Sequence, residues 1–225
     1  MVFNKRKKYG KMSYSQCGED ILIGFIFHSI GILKPRFLDI GAHHPYYLNN
    51  TAIFYEAGCN GVNIEPDPSL IKEFYSQRGR DININKGISD CNSILDFYIM
   101  SSPTLNTFSK KEAYDYEKLN YKIQAIKKIE VVTIDYILEK YLNNKFPELL
   151  TIDAEGVDEI ILKSIDYSLN FPIVICVETI SFSNVGKGVK NLDLIEFIKS
   201  NGYLLYADTY INSIFVKEDI WKRDH

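Results

Sequence analysis

The sequence has no apolar run long enough to span a membrane. Its most apolar segment, residues 21–33, is about thirteen residues long and includes His28 and Ser29, whereas a membrane-spanning helix needs about twenty residues. This segment therefore favours a buried helix. The N-terminus also lacks the apolar core and the small-residue cleavage site of a signal peptide, so we expect no export.

Cysteines are few, since the chain has four and none of them forms a CxxC pair. This spacing indicates neither a zinc site nor a disulfide framework. Cys176 lies in the apolar run 173–177, where a thiol usually behaves as a small buried hydrophobe. We therefore expect a cytoplasmic protein in a reducing environment.

The sequence also lacks an excess of positive charge. Its net charge of -3 argues against nucleic acid as the main partner. Residues 5–8 and Lys11 are basic, and we interpret residues 1–14 as a solvated basic arm. The remaining residues, 15–225, have a length and composition that suit one α/β domain without repeats.

What the sequence does contain is an alternation of apolar strands and helices. Strands are predicted at residues 36–42, 62–65, 82–85, 149–153 and 172–178. Helices between them require right-handed crossovers and produce a parallel sheet. The last two predicted strands, 203–206 and 213–216, are too close in sequence for a helical crossover, so they must be antiparallel.

Residues 90–148 interrupt this alternation. Residues 95–100 alternate like a half-exposed strand, and residues 129–134 could pair with them. Between the two lie many lysines and the tyrosines Tyr114, Tyr116 and Tyr121. We interpret the segment as an insertion that covers the functional site, although a surface loop without a substrate role fits equally well.

One motif suggests where that site lies. In residues 37–45, FLDIGAHHP, an apolar strand breaks into a loop after Asp39, and Gly41 would let a ligand approach the backbone closely. Ligands of open α/β sheets bind outside the carboxyl ends of the strands. We therefore expect a nucleotide-like cofactor at residues 39–44, the alternative being an ordinary strand-to-loop turn.

Acidic residues recur at the ends of the predicted parallel strands. They are Asp39, Glu65, Asp153 and Glu178. Glu65 follows Gly41 by about two dozen residues, near the distance at which an acid at the second strand end accepts hydrogen bonds from ribose hydroxyls. We favour that role over a simple surface acid.

The sequence lacks the G-x-G-x-x-G fingerprint that a dinucleotide pyrophosphate requires. NAD and FAD are therefore disfavoured. A cofactor with adenosine but no phosphate fits better, and S-adenosylmethionine is such a cofactor. Its ribose suits Glu65, and its amino-acid end suits the loop around Asp39 and Gly41.

At this point the chain resembles a known family, the FkbM-type methyltransferases, a branch of the S-adenosylmethionine-dependent class I fold. The similar segments are residues 15–20 (SQCGED), 38–42 (LDIGA), 49–51 (NNT), 63–66 (NIEP) and 152–156 (IDAEG). The resemblance implies a seven-stranded, mostly parallel sheet with helices on both faces and a C-terminal antiparallel hairpin. It also implies cofactor contacts from Asp39, Gly41, Ala42, Asn50, Thr51, Glu65 and Asp153.

The resemblance further implies methyl transfer, most often to a hydroxyl oxygen of a sugar, glycan or related small molecule. A hydroxyl acceptor needs help in losing its proton. Candidate bases are His43, His44, Asp153 and Glu155. The alternative for the histidines is a hydrogen bond that only fixes the loop, and for Asp153 and Glu155 a cap on the helix near residue 158.

A metal is a further hypothesis. Asp153, Glu155 and Glu178 with a histidine could form an oxygen-rich Mg²⁺ site, although carboxylates at strand ends are common without a metal. Two other functions compete with methyl transfer. One is a nucleotide-dependent oxidoreductase, which the missing fingerprint disfavours. The other is a non-catalytic binding module, and the presence of Asp39, Gly41 and Glu65 disfavours it.

Overall fold

The computed structural model describes residues 10–154, 157–181 and 188–223. Its main sheet has seven strands in the order β3-β2-β1-β7-β8-β10-β9. The strands are β1 Phe37–Ile40, β2 Gly61–Ile64, β3 Ile82–Ile84, β7 Leu149–Ile152, β8 Val174–Glu178, β9 Tyr203–Asp208 and β10 Asn212–Lys217. This is the sheet of a class I methyltransferase fold, as the sequence predicted.

Strand β1 lies at the centre of the parallel part of this sheet. It pairs in parallel with β2 on one side and with β7 on the other. At the far side, β10 is antiparallel to both β8 and β9, which confirms the predicted terminal hairpin. The prediction of β1 at residues 36–42 was too long, because Gly41 adopts a φ of 75° and leaves the extended conformation.

Helices cover both faces of the main sheet. They are α1 Glu19–Ser29, α2 Ala52–Glu56, α3 Leu70–Gln77, α5 Ile134–Tyr141, α6 Asp158–Lys163, α7 Leu192–Ser200 and α8 Glu218–Trp221. A further helix, α4 Lys110–Lys118, packs instead against residues 98–105, outside this sheet. Successive residues of a strand point to opposite faces, so Phe37 packs in the cluster of α1 and α2 while Leu38 packs with α5, α6 and α7. In the part of the chain that the structure describes, no helix combines the length and apolarity needed to cross a bilayer.

A second, smaller sheet interrupts the main fold. It consists of β4 Gly87–Ile88, β5 Ser93–Met100 and β6 Ile123–Val132 in the order β4-β6-β5. The predicted pairing is confirmed, since β5 and β6 are antiparallel with Leu95 opposite Ile129. Ile134 begins α5 rather than extending the strand, because the Thr133 hydroxyl accepts a hydrogen bond from Tyr136 N.

The segment that stands apart from the main sheet is narrower than the expected insertion at residues 90–148. It begins at β4, which pairs with β6. It ends before α5, because Ile137 of that helix is fully buried in the main core. The helical pattern of residues 134–141 is therefore part of the main fold.

The segment before α1 is held by two buried carboxylates. Asp20 accepts hydrogen bonds from Ser13 Oγ and Tyr14 N, both at 2.7 Å. Glu19 Oε1 accepts hydrogen bonds from Thr209 Oγ1 at 2.8 Å and Asn212 Nδ2 at 3.1 Å. Of the acidic residues expected at the start of this helix, Asp20 therefore holds the preceding segment and Glu19 fastens the helix to the loop before β10 and to the start of that strand.

Glu19 provides a test of this attachment. Burial would raise the pKa of Glu19, but hydrogen bonds from Cys17 N, Asn212 and Thr209 outweigh it and hold the pKa below its usual value. A lowered folded-state pKa stabilises the protein above the unfolded-state value of about 4.3, and this contribution is lost as the pH falls through the folded-state pKa. We expect Glu19→Gln to lower the free energy of unfolding at pH 7 by about 1–3 kcal/mol. The deficit should shrink in acid.

Chemical denaturation at pH 7 and pH 3 would measure the effect. Glu196→Gln is the matched control, because Glu196 pairs with Lys199 in an exposed ion pair, and such pairs contribute about 0–1 kcal/mol. Equal stabilities of the wild type and Glu19→Gln at pH 7 would contradict the assignment.

Candidate active site

A cavity of about 590 Å³ opens at the carboxyl ends of β1, β2, β7 and β8. The small sheet and the segment between β5 and β6 supply one wall, with Phe97, Leu105, Asn106, Phe108 and Tyr121. This arrangement agrees with the expectation that the insertion covers the site. Only one of the three tyrosines takes part, because Tyr114 is exposed and Tyr116 is buried in the small sheet's own core.

Gly41 brings the ends of β1 and β7 together. Its φ is 75°, and a Cβ atom built at this position would lie 1.9 Å from the carbonyl oxygen of Asp153. Gly41 N and Ala42 N both donate hydrogen bonds to Ile64 O, which also fastens the loop to β2. Gly41 lines the cavity as predicted, but the neighbour that requires a glycine here is the Asp153 backbone rather than a ligand.

Asp39 is 5% exposed and lines the cavity. Thr51 Oγ1 donates to Asp39 Oδ2 at 2.8 Å, and Asn49 Nδ2 donates to the same oxygen at 3.2 Å. Burial raises the pKa of Asp39 to about 6, although these hydrogen bonds and the charge of Arg78 oppose the shift. Among the described residues all of its side-chain hydrogen bonds go to Oδ2, which leaves Oδ1 for a ligand.

Thr51 and Asn50 were both predicted to contact the cofactor, but the structure places them differently. Thr51 is fully buried behind Asp39 and does not line the cavity. It precedes α2 without capping it, because its hydroxyl is used on Asp39. Asn50 does line the cavity, and its Nδ2 donates to Thr151 Oγ1 at 3.1 Å.

Glu65 follows β2 and is 4% exposed. Its Oε2 accepts a hydrogen bond from His43 N at 2.8 Å, and its Oε1 accepts one from Asp67 N at 2.7 Å. Burial raises the pKa of Glu65 to about 8 in spite of these two bonds. Each oxygen keeps a lone pair that can accept a further hydrogen bond.

The two predicted histidines differ in their surroundings. His43 lines the cavity with a φ of 55°. Burial and then the neighbouring His44 lower its pKa, which favours the neutral imidazole. His44 is not among the lining residues, and its Nδ1 accepts hydrogen bonds from Tyr46 N and Tyr47 N. The structure therefore supports the loop-fixing interpretation for His44.

Asp153 follows β7, and Glu178 ends β8. Asp153 is exposed to solvent at the cavity, and the protein packed around it there, followed by the charges of Asp158 and Asp39, raises its pKa. Burial and then Asp153 raise the pKa of Glu178 in the same way. The capping interpretation for Asp153 was wrong, because no side chain among the described residues caps α6, and the carboxylate that bonds the preceding loop at Ala154 N is Asp158.

Glu155, a candidate base and metal ligand, lies outside the described residues. Within the described ranges, no group of three or more histidine, cysteine, aspartate or glutamate side chains is arranged to hold a metal ion. Asp153 and Glu178 alone therefore do not support the Mg²⁺ site that the sequence suggested.

The match to a family model decides the classification. The model of the methyltransferase FkbM domain matches residues 39–205. The chain belongs to the FkbM methyltransferase family. The range of the match includes Asp39, Glu65 and Asp153, and it confirms the resemblance seen in the sequence.

Two solved structures are similar to this FkbM domain. One is methyltransferase FkbM from Methylobacillus flagellatus KT, with 15% identity and a TM-score of 0.46 over 81% of this chain. This chain spans 43% of the length of that protein. The other is precorrin-6y C5,15-methyltransferase from Geobacter metallireducens GS-15, with 12% identity, a TM-score of 0.37 and 86% of each chain covered. No curated protein sequence matches the chain.

Sequence reasoning missed several residues that line or support this site. Gln16, Cys17 and Asn212 line the cavity, and the first two belong to the motif at residues 15–20, so that motif was a usable signal. Arg78 was also missed. It is fully buried behind the loop at residues 41–51, yet the segment Arg78-Gly79-Arg80 has the composition of a surface turn.

Gly41→Ala tests the close approach of β1 and β7. We expect a loss of at least about 2 kcal/mol of unfolding free energy, because the alanine must adopt a left-handed conformation and clash with a backbone carbonyl. Thermal or denaturant unfolding measures it. Gly24→Ala is the matched control, since Gly24 lies within α1 with open space around it and alanine favours helices by about 1 kcal/mol. A Gly41→Ala variant as stable as the wild type would refute the assignment.

Proposed function

We propose that this chain is an S-adenosylmethionine-dependent methyltransferase that acts on a hydroxyl group of a sugar, glycan or related small molecule. One observation carries the proposal. Asp39 and Glu65, carboxylates associated with two neighbouring parallel strands, line one cavity, and each keeps a free acceptor position. A ribose diol and an ammonium group are the ligands that such a pair suits.

The residues around the cavity fit this cofactor. Glu65 can accept hydrogen bonds from both ribose hydroxyls, since each of its oxygens has a lone pair to spare. Asp39 Oδ1 can accept the ammonium group of the amino-acid end. Pro66, Leu70 and Ile88 provide apolar surface beside Glu65, which suits a purine ring. When bound, the cofactor supplies a methyl group activated by a positively charged sulfur.

Asp153 is the base that we propose for the acceptor hydroxyl. Its raised pKa brings it closer to neutral pH, where proton transfer to a carboxylate oxygen is most effective. His43 is the second candidate, because it lines the same cavity and is held neutral. Phe97, Leu105 and Phe108 exclude water from the opposite wall.

Calorimetric titration with S-adenosylhomocysteine, with NADH as the control ligand, tests the proposal. We expect binding of the thioether alone. Binding of NADH alone would indicate an oxidoreductase, and binding of neither would indicate a non-catalytic module. A positive result justifies an assay of methyl transfer to sugars and other polyols.

The titration of Glu65 gives a pH-dependent prediction. Its pKa is raised to about 8 in the free protein, so at pH 7 the carboxyl is mostly protonated, whereas two donating ribose hydroxyls favour the ionised form. Binding of S-adenosylhomocysteine should therefore release a proton, and affinity should rise as the pH increases from 7 to 9. Calorimetry in buffers of different ionisation enthalpy measures the release. Glu65→Gln should bind more weakly and lose this pH dependence; an unchanged profile would remove Glu65 from the ribose role.

Asp153→Asn separates proton transfer from cofactor binding. We expect turnover to fall by about 10²–10⁴-fold, the usual contribution of a general base. The affinity for S-adenosylhomocysteine should change much less. Full activity of the variant with an identified acceptor would exclude Asp153 as the base and leave His43.

A further inference from the structure

Arg78 is a buried charge outside the cavity that the mechanism above does not use. It follows α3 and is 0% exposed. Its Nε donates to Asp81 Oδ2 at 2.8 Å, and its guanidinium lies 4.6 Å from the centre of the Tyr55 ring. A buried charge is costly unless it is paired and its donors are satisfied. Asp81 supplies the counter-charge, but Nη1 and Nη2 are directed elsewhere.

These two nitrogens hold the loop that follows β1. Nη1 donates to Pro45 O at 3.1 Å and to Asn49 Oδ1 at 3.4 Å, and Nη2 donates to Thr51 Oγ1 at 3.1 Å. Both Asn49 and Thr51 in turn donate to Asp39 Oδ2. Arg78 is thus one hydrogen-bonded residue away from Asp39 along two separate routes.

The direction of these bonds matters. Asn49 Oδ1 already accepts hydrogen bonds from Thr51 N and Arg78 Nη1. The Thr51 hydroxyl accepts from Arg78 Nη2, and Thr51 Oγ1 lies closer to Asp39 Oδ2, at 2.8 Å, than to Asn49 Oδ1, at 3.0 Å, so the carboxylate is the favoured acceptor of its proton. The network therefore presents donors to Asp39, and donors stabilise a carboxylate rather than a neutral acid.

We propose that Arg78 is a positioning residue for cofactor binding, which holds Asp39 in place and ionised through Thr51 and Asn49 so that Asp39 can receive the cofactor's ammonium group. This inference rests on the proposed function. Arg suits the role better than Lys, because its planar fork places several donors on fixed partners at once.

Apart from Arg78, the charged groups around Asp39 all oppose the ionisation of its carboxyl group. Asp81 raises the pKa of Asp39 and Arg78 lowers it. Glu65 on the β2 side and Asp153 on the β7 side are themselves acids, and the charge of Asp39 raises the pKa of each. The side chains of Asn49 and Thr51, which contact Asp39 from the loop, are uncharged. Loss of the Arg78 charge should therefore favour protonation of Asp39.

Two ligands isolate the effect. S-adenosylhomocysteine carries the amino-acid end, and 5′-methylthioadenosine has the same nucleoside without it. We expect Arg78→Met to weaken binding of S-adenosylhomocysteine about tenfold at pH 5, where the pH lies below the pKa of Asp39 and a rise of one pKa unit takes full effect, but only about twofold at pH 7. Binding of 5′-methylthioadenosine should change by less than about twofold. In the wild type the ratio of the two affinities should fall as the pH drops through about 6, where Asp39 is protonated, and in the variant that fall should move to higher pH.

Arg80→Met is the matched control. Arg80 lies two residues away, stacks on the same Tyr55 ring and donates to Tyr55 O, but it does not line the cavity. The Arg80→Met variant should leave the ratio of the two affinities and its dependence on pH unchanged. If Arg78→Met does not fold, Thr51→Val removes one route to Asp39 while keeping the arginine in the chain, and it should lower the ratio in the same direction.

The outcomes are distinguishable. If Arg78→Met folds and weakens binding of both ligands equally, or leaves the ratio of the two affinities unchanged, the role of Arg78 is purely structural and the inference is overturned. If Arg78→Met does not fold, an unchanged affinity ratio in Thr51→Val overturns the inference instead. A wild type that binds neither ligand would contradict the proposed function itself, and the inference would fall with it.

Discussion

The contact between Gly41 and the Asp153 carbonyl is the constraint on which the site depends. Two parallel strands can end this close together only if the residue after β1 has no side chain. The contact fixes where the chain leaves β1 and therefore where the loop at residues 41–51 begins. That loop supplies His43, which bonds Glu65, and Asn49 and Thr51, which bond Asp39.

Bringing the strand ends together also concentrates acids. Asp39, Glu65, Asp153 and Glu178 all line one cavity, and burial raises the pKa of each. Such a site is electrostatically unfavourable when all four groups are ionised, and positive charge or hydroxyl donors from a ligand would relieve the repulsion. This explains physically why the proposed cofactor, with an ammonium and a sulfonium group, suits a site that carries a negative charge.

The parallel sheet, its terminal hairpin and the acidic residues at one edge could be predicted from the sequence. Each is indicated by a local pattern, a short apolar run that ends in an acidic residue or two such runs close together. The sequence did not predict Arg78, since the burial of an arginine depends on partners 27 and 33 residues away in the chain. It assigned Thr51 to the cofactor, whereas the hydroxyl is used on Asp39. The helix α5 was included in the insertion because the interruption of the strand pattern does not reveal which helix rejoins the core.

The small sheet is fastened at the side of the cavity where Glu65 lies. Asn106 Nδ2 donates to Asp67 Oδ2 at 2.9 Å, and Asp67 N donates to Glu65 Oε1 at 2.7 Å. Asn106 Oδ1 accepts a hydrogen bond from Met100 N at the end of β5. The covering wall is therefore connected to the acid proposed for ribose binding through two hydrogen bonds. Because both Asp67 and Asn106 are buried, breaking this connection would leave polar groups without partners, so the wall is held to the segment that carries Glu65.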